Sequence, residues 1–397
     1  MHPADHLRGS KSDKLSGRKI VLGVTGSIAA VECVKLCREL IRNGAEIHVV
    51  MSKDAQTIIH PWALEFASGN SVTTQIDGRV QHVSFCGDVP DRADLFLIAP
   101  ATANTISKMA YGIDDTPVTT CATTALGGGM PVMVVPAMHG SMIAHKIVLE
   151  NIEKLKKVGV KFLMPKMEES KAKMPSIDYI VSSVIAVVGK RDLVGKKVLV
   201  IAGSTEEPID DIRVITNRSS GETGVELARA AYERGGDVEL WMGRCETKLP
   251  EYIKTSRFTS FDSLAALTKK IRHDIVLFPA AVSDYSPKKV DGKIASGKDS
   301  LTVILRRNPK LIDRMRRRFV VGFKAQAKMK DDELEKAALE LLNRSKCSLV
   351  VANSIENVKK GMTKVLVVMK DGATEDLEGT KFEVADKIID RVVRMIE

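Results

Sequence analysis

Aromatic residues are scarce in this 397-residue chain, 4% of the total with only two tryptophans, so a surface built to stack nucleic-acid bases is not expected. Long apolar runs are missing too. None approaches the roughly 20 residues that would cross a bilayer, and no membrane contact is expected. The six cysteines, at 33, 37, 86, 121, 245 and 347, include no CxxC pair, which makes reduced thiols in a cytoplasmic protein the natural expectation. Cys33 and Cys37 lie four apart among Ala30, Val34, Leu40 and Ile41, as small residues on the core face of a helix. The opening residues, MHPADHLRGSKSDKLSGRK, carry no apolar h-region. They read as a polar, frayed tail over 1–17 rather than as a signal peptide. Acidic charge falls short of basic charge: 50 Asp and Glu against 60 Lys and Arg give a formal net charge of +10. That excess is dispersed. Its densest runs, RRNPKLIDRMRRR at 306–318 and KKVDGKIASGK at 288–298, suit solvated faces and phosphate-bearing small molecules better than nucleic acid.

What is present is an ordinary globular composition, 44% hydrophobic and 28% charged, in a length that suggests two domains. Strand-like runs recur with helical spacing between them: KIVLGV (19–24), EIHVVM (46–51), LFLIAP (95–100), PVMVVP (131–136) and VKFLMP (160–165). They are apolar throughout instead of alternating, as parallel strands covered on both faces require. A helix over 27–42 stops at Asn43-Gly44. The pattern restarts after RDLVGKK (191–197) with KVLVIA (197–202), a helix at 221–235, DVELWM (237–242) and DIVLFPAA (274–281). Apolar runs at 319–323, 347–352 and 364–369 extend the second sheet, and 380–396 closes it as a helix. The expected fold is α/β with two doubly wound, Rossmann-like domains, 18–191 and 192–397, whose ligands bind beyond the carboxyl ends of the strands. The polar stretch YSPKKVDGKIASGKDS (285–300) reads as a mobile loop or lid.

In the first half, GVTGSIAA (23–30) joins a strand to a helix and presents free backbone N–H groups to an anion. It lacks the third glycine of GxGxxG, so the hydroxyls of Thr25 and Ser27, beside Gly26, suit a single phosphate better than a dinucleotide. Ser52, in MSKD, could join the same phosphate. The plainer alternative for Ser27 and Ser52 is helix N-capping. The stretch LIAPATANTISKMAYGIDD (97–115) resembles the PASANT motif of the homo-oligomeric flavin-containing cysteine decarboxylases, with Thr102, Asn104 and Lys108 in place. PAMHGSM (136–142) resembles their PxMNxxMW motif, and His82, in QHVSF, falls where the family has its active-site histidine. The resemblance implies a flavodoxin-like fold, bound FMN, and oxidation of a cysteine thiol to give decarboxylation an electron sink, with His82 handling the proton. Two departures stand out: His139 replaces the carboxylate-binding asparagine, with Ile143 at the tryptophan position, and the flap PKMEESKAKMPS (165–176) has no cysteine to act as final acid. The archaeal branch of the family is similar in both respects. The expectation is that His139 binds the carboxylate and that Lys173, or His139 itself, supplies the last proton.

In the second half, AGSTEEPIDDIRVITNRSSGETG (202–224) is too polar and too long for a plain strand-to-helix turn. It resembles the TREPID and R-x-I-T/S-N-x-SSG motifs of phosphopantothenate–cysteine ligases, which implies that Arg213 holds an anionic intermediate and Asn217 bonds the activated acyl group. FPAAVSDY (278–285), with Phe278, Pro279 and Ala280, resembles the ligase AAVADY motif, and Asp284 is the implied metal or nucleotide contact. Lys293, in GKIAS, resembles the KIKK lysine; RNPKLI (307–312), with Pro309, Lys310, Leu311 and Ile312, resembles NPDI; and VGFKAQ, with Phe323, resembles GFxAE with Gln326 for glutamate. Bacterial ligases carry two lysines four apart where alignment gives Leu341 and Ser345, with Arg344 and Lys346 nearby.

The resemblance therefore implies two successive steps of coenzyme A biosynthesis. The second half joins 4'-phosphopantothenate to cysteine with CTP (ATP as the rival) and Mg2+, and the first half decarboxylates the product. It also implies a homo-oligomer, trimer-based in the first half and dimeric in the second. A flavin-binding regulatory subunit and a nicotinamide dehydrogenase are the rival readings. The ligase motifs disfavour the first and the missing third glycine the second.

Overall fold

A computed structural model describes residues 2–168, 171–297, 299–315, 318–327, 331–354 and 361–396. The chain separates into two compact units, Met1–Lys190 and Arg191–Glu397. No helix among the described residues is long and apolar enough to cross a membrane.

The first unit holds a parallel sheet of five strands, β1 Lys19–Val24, β2 Glu46–Met51, β3 Leu95–Ala101, β4 Val132–Pro136 and β5 Lys161–Phe162, in the order β2-β1-β3-β4-β5. This is the flavodoxin-like order, with its switch point between β1 and β3. Alternate residues explain the continuous apolar runs. Ile20, Leu22 and Val24 pack with the helix Cys33–Arg42 and with Ile180 and Val184 on one face, while Val21, Phe96 and Ile98 pack with Ile106, Val118 and Ile152 on the other. Each such side chain contributes about 1.5–3 kcal/mol of burial. The expected helix over 27–42 divides into a 3-10 turn, Ile28–Glu32, and the helix Cys33–Arg42; the expected strand over 160–165 shrinks to Lys161–Phe162. Cys33 and Cys37 are fully buried, and burial pushes both thiols up, Cys37 to about 12. Neither is a thiolate at neutral pH.

The frayed tail is a correction. Residues Pro3–Leu7 form a short helix with His2 and Asp5 in a capping box, Leu15 is fully buried, and Gly9 and Lys11 donate backbone N–H groups to Ile41 and Arg42. Leu7, Ala4 and Leu15 supply apolar contacts that a composition reading of a polar segment overlooks.

The second unit contains an eight-stranded sheet: β6 Lys197–Ala202, β7 Asp237–Met242, β8 Lys254–Arg257, β9 Ile275–Phe278, β10 Phe319–Gln326, β11 Leu349–Ser354, β12 Met362–Met369 and β13 Thr374–Thr380. Its order is β8-β7-β6-β9-β10-β11-β12-β13. The first six run parallel in the Rossmann order 3-2-1-4-5-6, and β12 and β13 add an antiparallel edge. Val198, Val200 and Ala202 face the helices Glu222–Glu233 and Lys381–Ile396; Leu199 and Ile201 face Leu264, Leu334 and Ala338. Arg234, 6% exposed, bridges Asp192 and Asp390, joining the start of the unit to its last helix.

The segment 285–300 is not the free loop its composition suggests. Tyr285–Pro287 pairs antiparallel with Leu305–Arg307, Val290 N–H donates to Ile209 O at 2.9 Å, and Asp211 N–H donates to Gly292 O at 3.1 Å. Lys298 lies outside the described residues, as do Arg316 and Arg317 of the basic run and Glu169 and Ser170 of the flap.

Candidate active sites

In the first unit, the loops after β1 and β3 meet at the switch point through one buried hydroxyl. Thr25 Oγ1 donates to Pro100 O at 2.8 Å and accepts Thr102 N–H at 3.1 Å, and the residue is 1% exposed. Thr25 is thus a latch rather than a phosphate ligand. Gly26 is required by close packing: a Cβ there would stand 2.5 Å from Asp54 Cβ. Ser27 precedes the 3-10 turn without capping it, so the capping alternative does not describe it. For Ser52 it does, since its Oγ accepts Ala55 N–H at 3.2 Å. Thr102 likewise caps the helix Ala103–Tyr111 by accepting Thr105 N–H at 3.2 Å. Ser52 thereby accepts through oxygen and keeps its own hydrogen to donate, whereas Thr102 Oγ1 also lies 3.1 Å from Thr105 Oγ1. Asn104 is exposed in the first turn of that helix, and its side-chain amide has no hydrogen-bond partner among the described residues. Lys108 pairs with Asp115 at 2.7 Å, which ties the helix to the GIDD turn.

A cleft of about 820 Å3 is lined by Ser27, His139 and Lys173, together with Ile28, Val31 and Met174. Three expected site residues from distant parts of the chain are brought to one cavity. The cause is a small antiparallel sheet in which Met138–His139 pairs with Lys171–Lys173, and that strand in turn with Lys166–Glu168. His139 begins the short helix Gly140–Ile143; its Nδ1 accepts Ser141 N–H at 3.4 Å and meets Ser141 Oγ at 2.9 Å. With Nδ1 accepting from the backbone, the neutral ring carries its hydrogen on Nε2, where it can donate to a carboxylate.

His82 sits half-buried on the helix Gln81–Cys86 and is not among the residues lining that cleft. Its Nδ1 is buried with no hydrogen-bond partner among the described residues. The helix starts under strain: Val80, β-branched, has φ 46°, a conformation costing about 1–3 kcal/mol. Asp77 holds it there. Its carboxylate accepts the side-chain and backbone N–H groups of Arg79 and the Gln81 amide, and the Arg79 guanidinium keeps it well below the usual carboxylate range.

The second unit repeats the latch. Thr205, fully buried, accepts Ser283 N–H at 3.0 Å and donates to Ser283 Oγ at 3.1 Å, joining the loops after β6 and β9 at the switch point of this sheet. Asn217 Nδ2 donates to Ala281 O at 3.1 Å, so the expected acyl contact stands against the loop that carries Pro279 and Ala280. Phe278 is buried at the end of β9. Asp284 is exposed and ion-paired with Lys310, which brings the AAVADY-like and NPDI-like stretches together. Pro309 is exposed beside it, Leu311 and Ile312 anchor the stretch in the core, and Phe323 packs partly buried on β10. Asn308 ties this group further, donating to Ser283 O at 2.9 Å and Ser286 Oγ at 2.7 Å. Ser345 is buried and donates to Asp313, and Leu341 is buried; Arg344 and Lys346 are the exposed cations nearby.

Arg213 forms an ion pair with Asp210 at 2.6 Å and donates to Ile294 O at 3.2 Å, which sets it beside the segment bearing Lys293, itself exposed. Glu207 was not singled out in the sequence, yet it is 2% exposed and accepts Phe261 N–H at 3.0 Å and Ser286 Oγ–H at 2.8 Å. Its partners are remote in sequence, and no local pattern marks them.

The Flavoprotein family matches residues 8–189, and the family described as DNA/pantothenate metabolism flavoprotein C-terminal domain matches 193–396. The coenzyme A biosynthesis bifunctional protein CoaBC of Thermococcus kodakarensis is 47% identical over 406 aligned positions, covering 100% of both chains. That of Methanocaldococcus jannaschii is 36% identical and covers 100% of this chain and 98% of its own. Among solved structures, the C-terminal domain of a coenzyme A biosynthesis bifunctional protein CoaBC aligns at 28% identity and a TM-score of 0.45, over 52% of this chain and 98% of its own. The chain belongs to the family of coenzyme A biosynthesis bifunctional proteins, enzymes that join a flavoprotein decarboxylase unit to a ligase unit.

Proposed function

We propose that the second unit ligates 4'-phosphopantothenate to cysteine through an acyl-nucleotide, with CTP as the nucleotide, and that the first unit decarboxylates the product to 4'-phosphopantetheine. The observation that carries the reading is the convergence of Ser27, His139 and Lys173 on one cleft, in a chain whose second unit sets Arg213 against the Lys293 segment.

FMN fits the first unit. Gly26, Ser27, Ser52 and Thr102 present hydroxyl and backbone hydrogens beyond the strand ends, Asn104 offers an unengaged amide, and the orphaned His82 Nδ1 awaits a partner. When bound, it supplies the two-electron acceptor and donor that thiol oxidation and product reduction require. His82 moves the proton that accompanies thiol oxidation. His139, through Nε2–H, holds the cysteine carboxylate until carbon dioxide leaves. Lys173, on the strand paired with that of His139 and lining the same cleft, delivers the last proton, with His139 as the other candidate donor.

For the ligase step, Arg213 neutralises the anionic intermediate and Asn217 bonds the acyl oxygen, while Lys293 and Lys310 offset charge on the triphosphate. Mg2+ fits only as a shared ion: no group of three His, Cys, Asp or Glu among the described residues could hold a metal. Asp284 supplies one carboxylate, and phosphates and water complete the coordination. The exposed side chains of Trp62 and Tyr111 support self-association of the first unit; a trimer-based first unit, dimers of the second and a cytoplasmic location complete the proposal. Purified protein should be yellow, and should release pyrophosphate with 4'-phosphopantothenate, cysteine and Mg2+ faster with CTP than with ATP. Colourless protein contradicts the flavin reading, and equal or faster turnover with ATP contradicts the choice of nucleotide.

A further inference from the structure

Arg213 and Lys293 stand on different loops of the second unit, and one carboxylate connects them. The Asp210 side chain is fully buried, 0% exposed. Its Oδ1 accepts the N–H groups of Ile212 at 2.8 Å and Arg213 at 2.7 Å. Its Oδ2 accepts Arg213 Nη1–H at 2.6 Å and Ile294 N–H at 3.1 Å. All four lone-pair directions of the carboxylate are used. Arg213 Nη1 also donates to Ile294 O, so guanidinium, carboxylate and the Ile294 peptide close a ring. Next to it Asp211 makes an outer clasp, accepting Gly292 N–H at 2.8 Å and pairing with Lys289 at 2.6 Å. Lys293 is held between the two.

We propose that Asp210 is a positioning residue for the ligase reaction: it fixes the Arg213 guanidinium and the backbone at Lys293 in one relation, so that the anion-holding group and the phosphate-facing lysine are presented together. The inference rests on the roles given to Arg213 and Lys293 above. A carboxylate is needed because it must accept from two charged or backbone donors on each oxygen. An amide in its place turns one of those acceptors into a donor facing other donors, and the ring opens.

The test uses the full chain. Asp210→Asn should lower kcat/KM for pyrophosphate release about 100-fold, the scale of a misplaced catalytic group, while carbon dioxide release from supplied 4'-phosphopantothenoylcysteine stays at the wild-type rate. Trypsin should cut faster after Lys288, Lys289 and Lys293. In a Lys293→Ala background the same substitution should cost clearly less than in the wild type, retaining only the part that acts through Arg213, because a residue that acts partly by placing another loses that part once the other is gone. Asp210→Glu, which keeps the charge but displaces both oxygens from the N–H groups of Ile212, Arg213 and Ile294, carries the test if Asp210→Asn does not fold, and should lower pyrophosphate release by at least about tenfold. Near-wild-type turnover of whichever variant folds, unchanged cleavage of the loop, or full multiplication of the Asp210 and Lys293 effects overturns the proposal. If the wild-type chain releases no pyrophosphate, the ligase reading fails first; the tether is then judged by loop cleavage alone.

Discussion

On the proposed reading, His139 keeps a place in the reaction although it is a substituted residue. Its Nδ1 is engaged by Ser141, which in the neutral ring leaves Nε2–H to donate, and Lys173 stands in the same cleft. His82 is set apart by its strained helix start and its unpartnered Nδ1. His82→Asn should lower carbon dioxide release about 100- to 10,000-fold, the range for loss of a general acid–base, with pyrophosphate release unchanged; Lys173→Ala should release carbon dioxide but accumulate the unreduced product. Product analysis by mass spectrometry separates the two, and normal reduction in Lys173→Ala would move the last proton to His139. Asp210 has a different kind of robustness. Burial alone would raise its pKa, but the N–H groups of Ile212, Arg213 and Ile294 and the Arg213 guanidinium bring it from 3.8 down to about 2. Because the folded value is depressed, the clasp contributes fully above 3.8 and is lost only as the pH falls toward 2. At this scale the sequence can assign a role where a motif is local, as with His82, Asn104 and Asn217, and those roles belong to the proposal above. It was misleading at Thr25, whose partners Pro100 and Thr102 come from another strand, and silent at Glu207 for the same reason.

At the scale of elements, both units solve one problem in one way. Parallel strands end in loops whose backbone groups must find partners, and at each switch point a buried threonine supplies them: Thr25 between the ends of β1 and β3, Thr205 between those of β6 and β9. Valine at either site keeps the volume but orphans an N–H, Thr102 in one case and Ser283 in the other. Thr25→Val and Thr205→Val should each destabilise the unit that carries it by about 1–3 kcal/mol, read by thermal unfolding, and each should impair only that unit's reaction. A loss in both activities from either change would contradict separate latches. Strands buried on both faces announced themselves as apolar runs. β8, KTSR, and β13, TEDLEGT, did not, since they are edge strands of which only Leu377 and Gly379 are buried. The loop 285–297 and the N-terminal segment were misjudged because polar composition records solvent exposure and not the backbone hydrogen bonds that fix them.

For the whole molecule, each unit has its own pair of cores flanking its own sheet, and the proposed chemistry of each lies at the carboxyl ends of its strands. The apolar pattern restarts after RDLVGKK (191–197), where the two family matches also meet, 8–189 and 193–396; which half is flavoprotein and which ligase came from the motif resemblances and not from that pattern, and on the proposed reading the second unit makes what the first consumes. Carboxyl-labelled cysteine tests that order directly. Mixed with the purified chain, 4'-phosphopantothenate, Mg2+ and CTP, it should yield labelled carbon dioxide and pyrophosphate in equal amounts, and neither when the nucleotide is left out. Pyrophosphate without labelled carbon dioxide would show that the cleft of Ser27, His139 and Lys173 does not decarboxylate, and labelled carbon dioxide without nucleotide would contradict the two-step account.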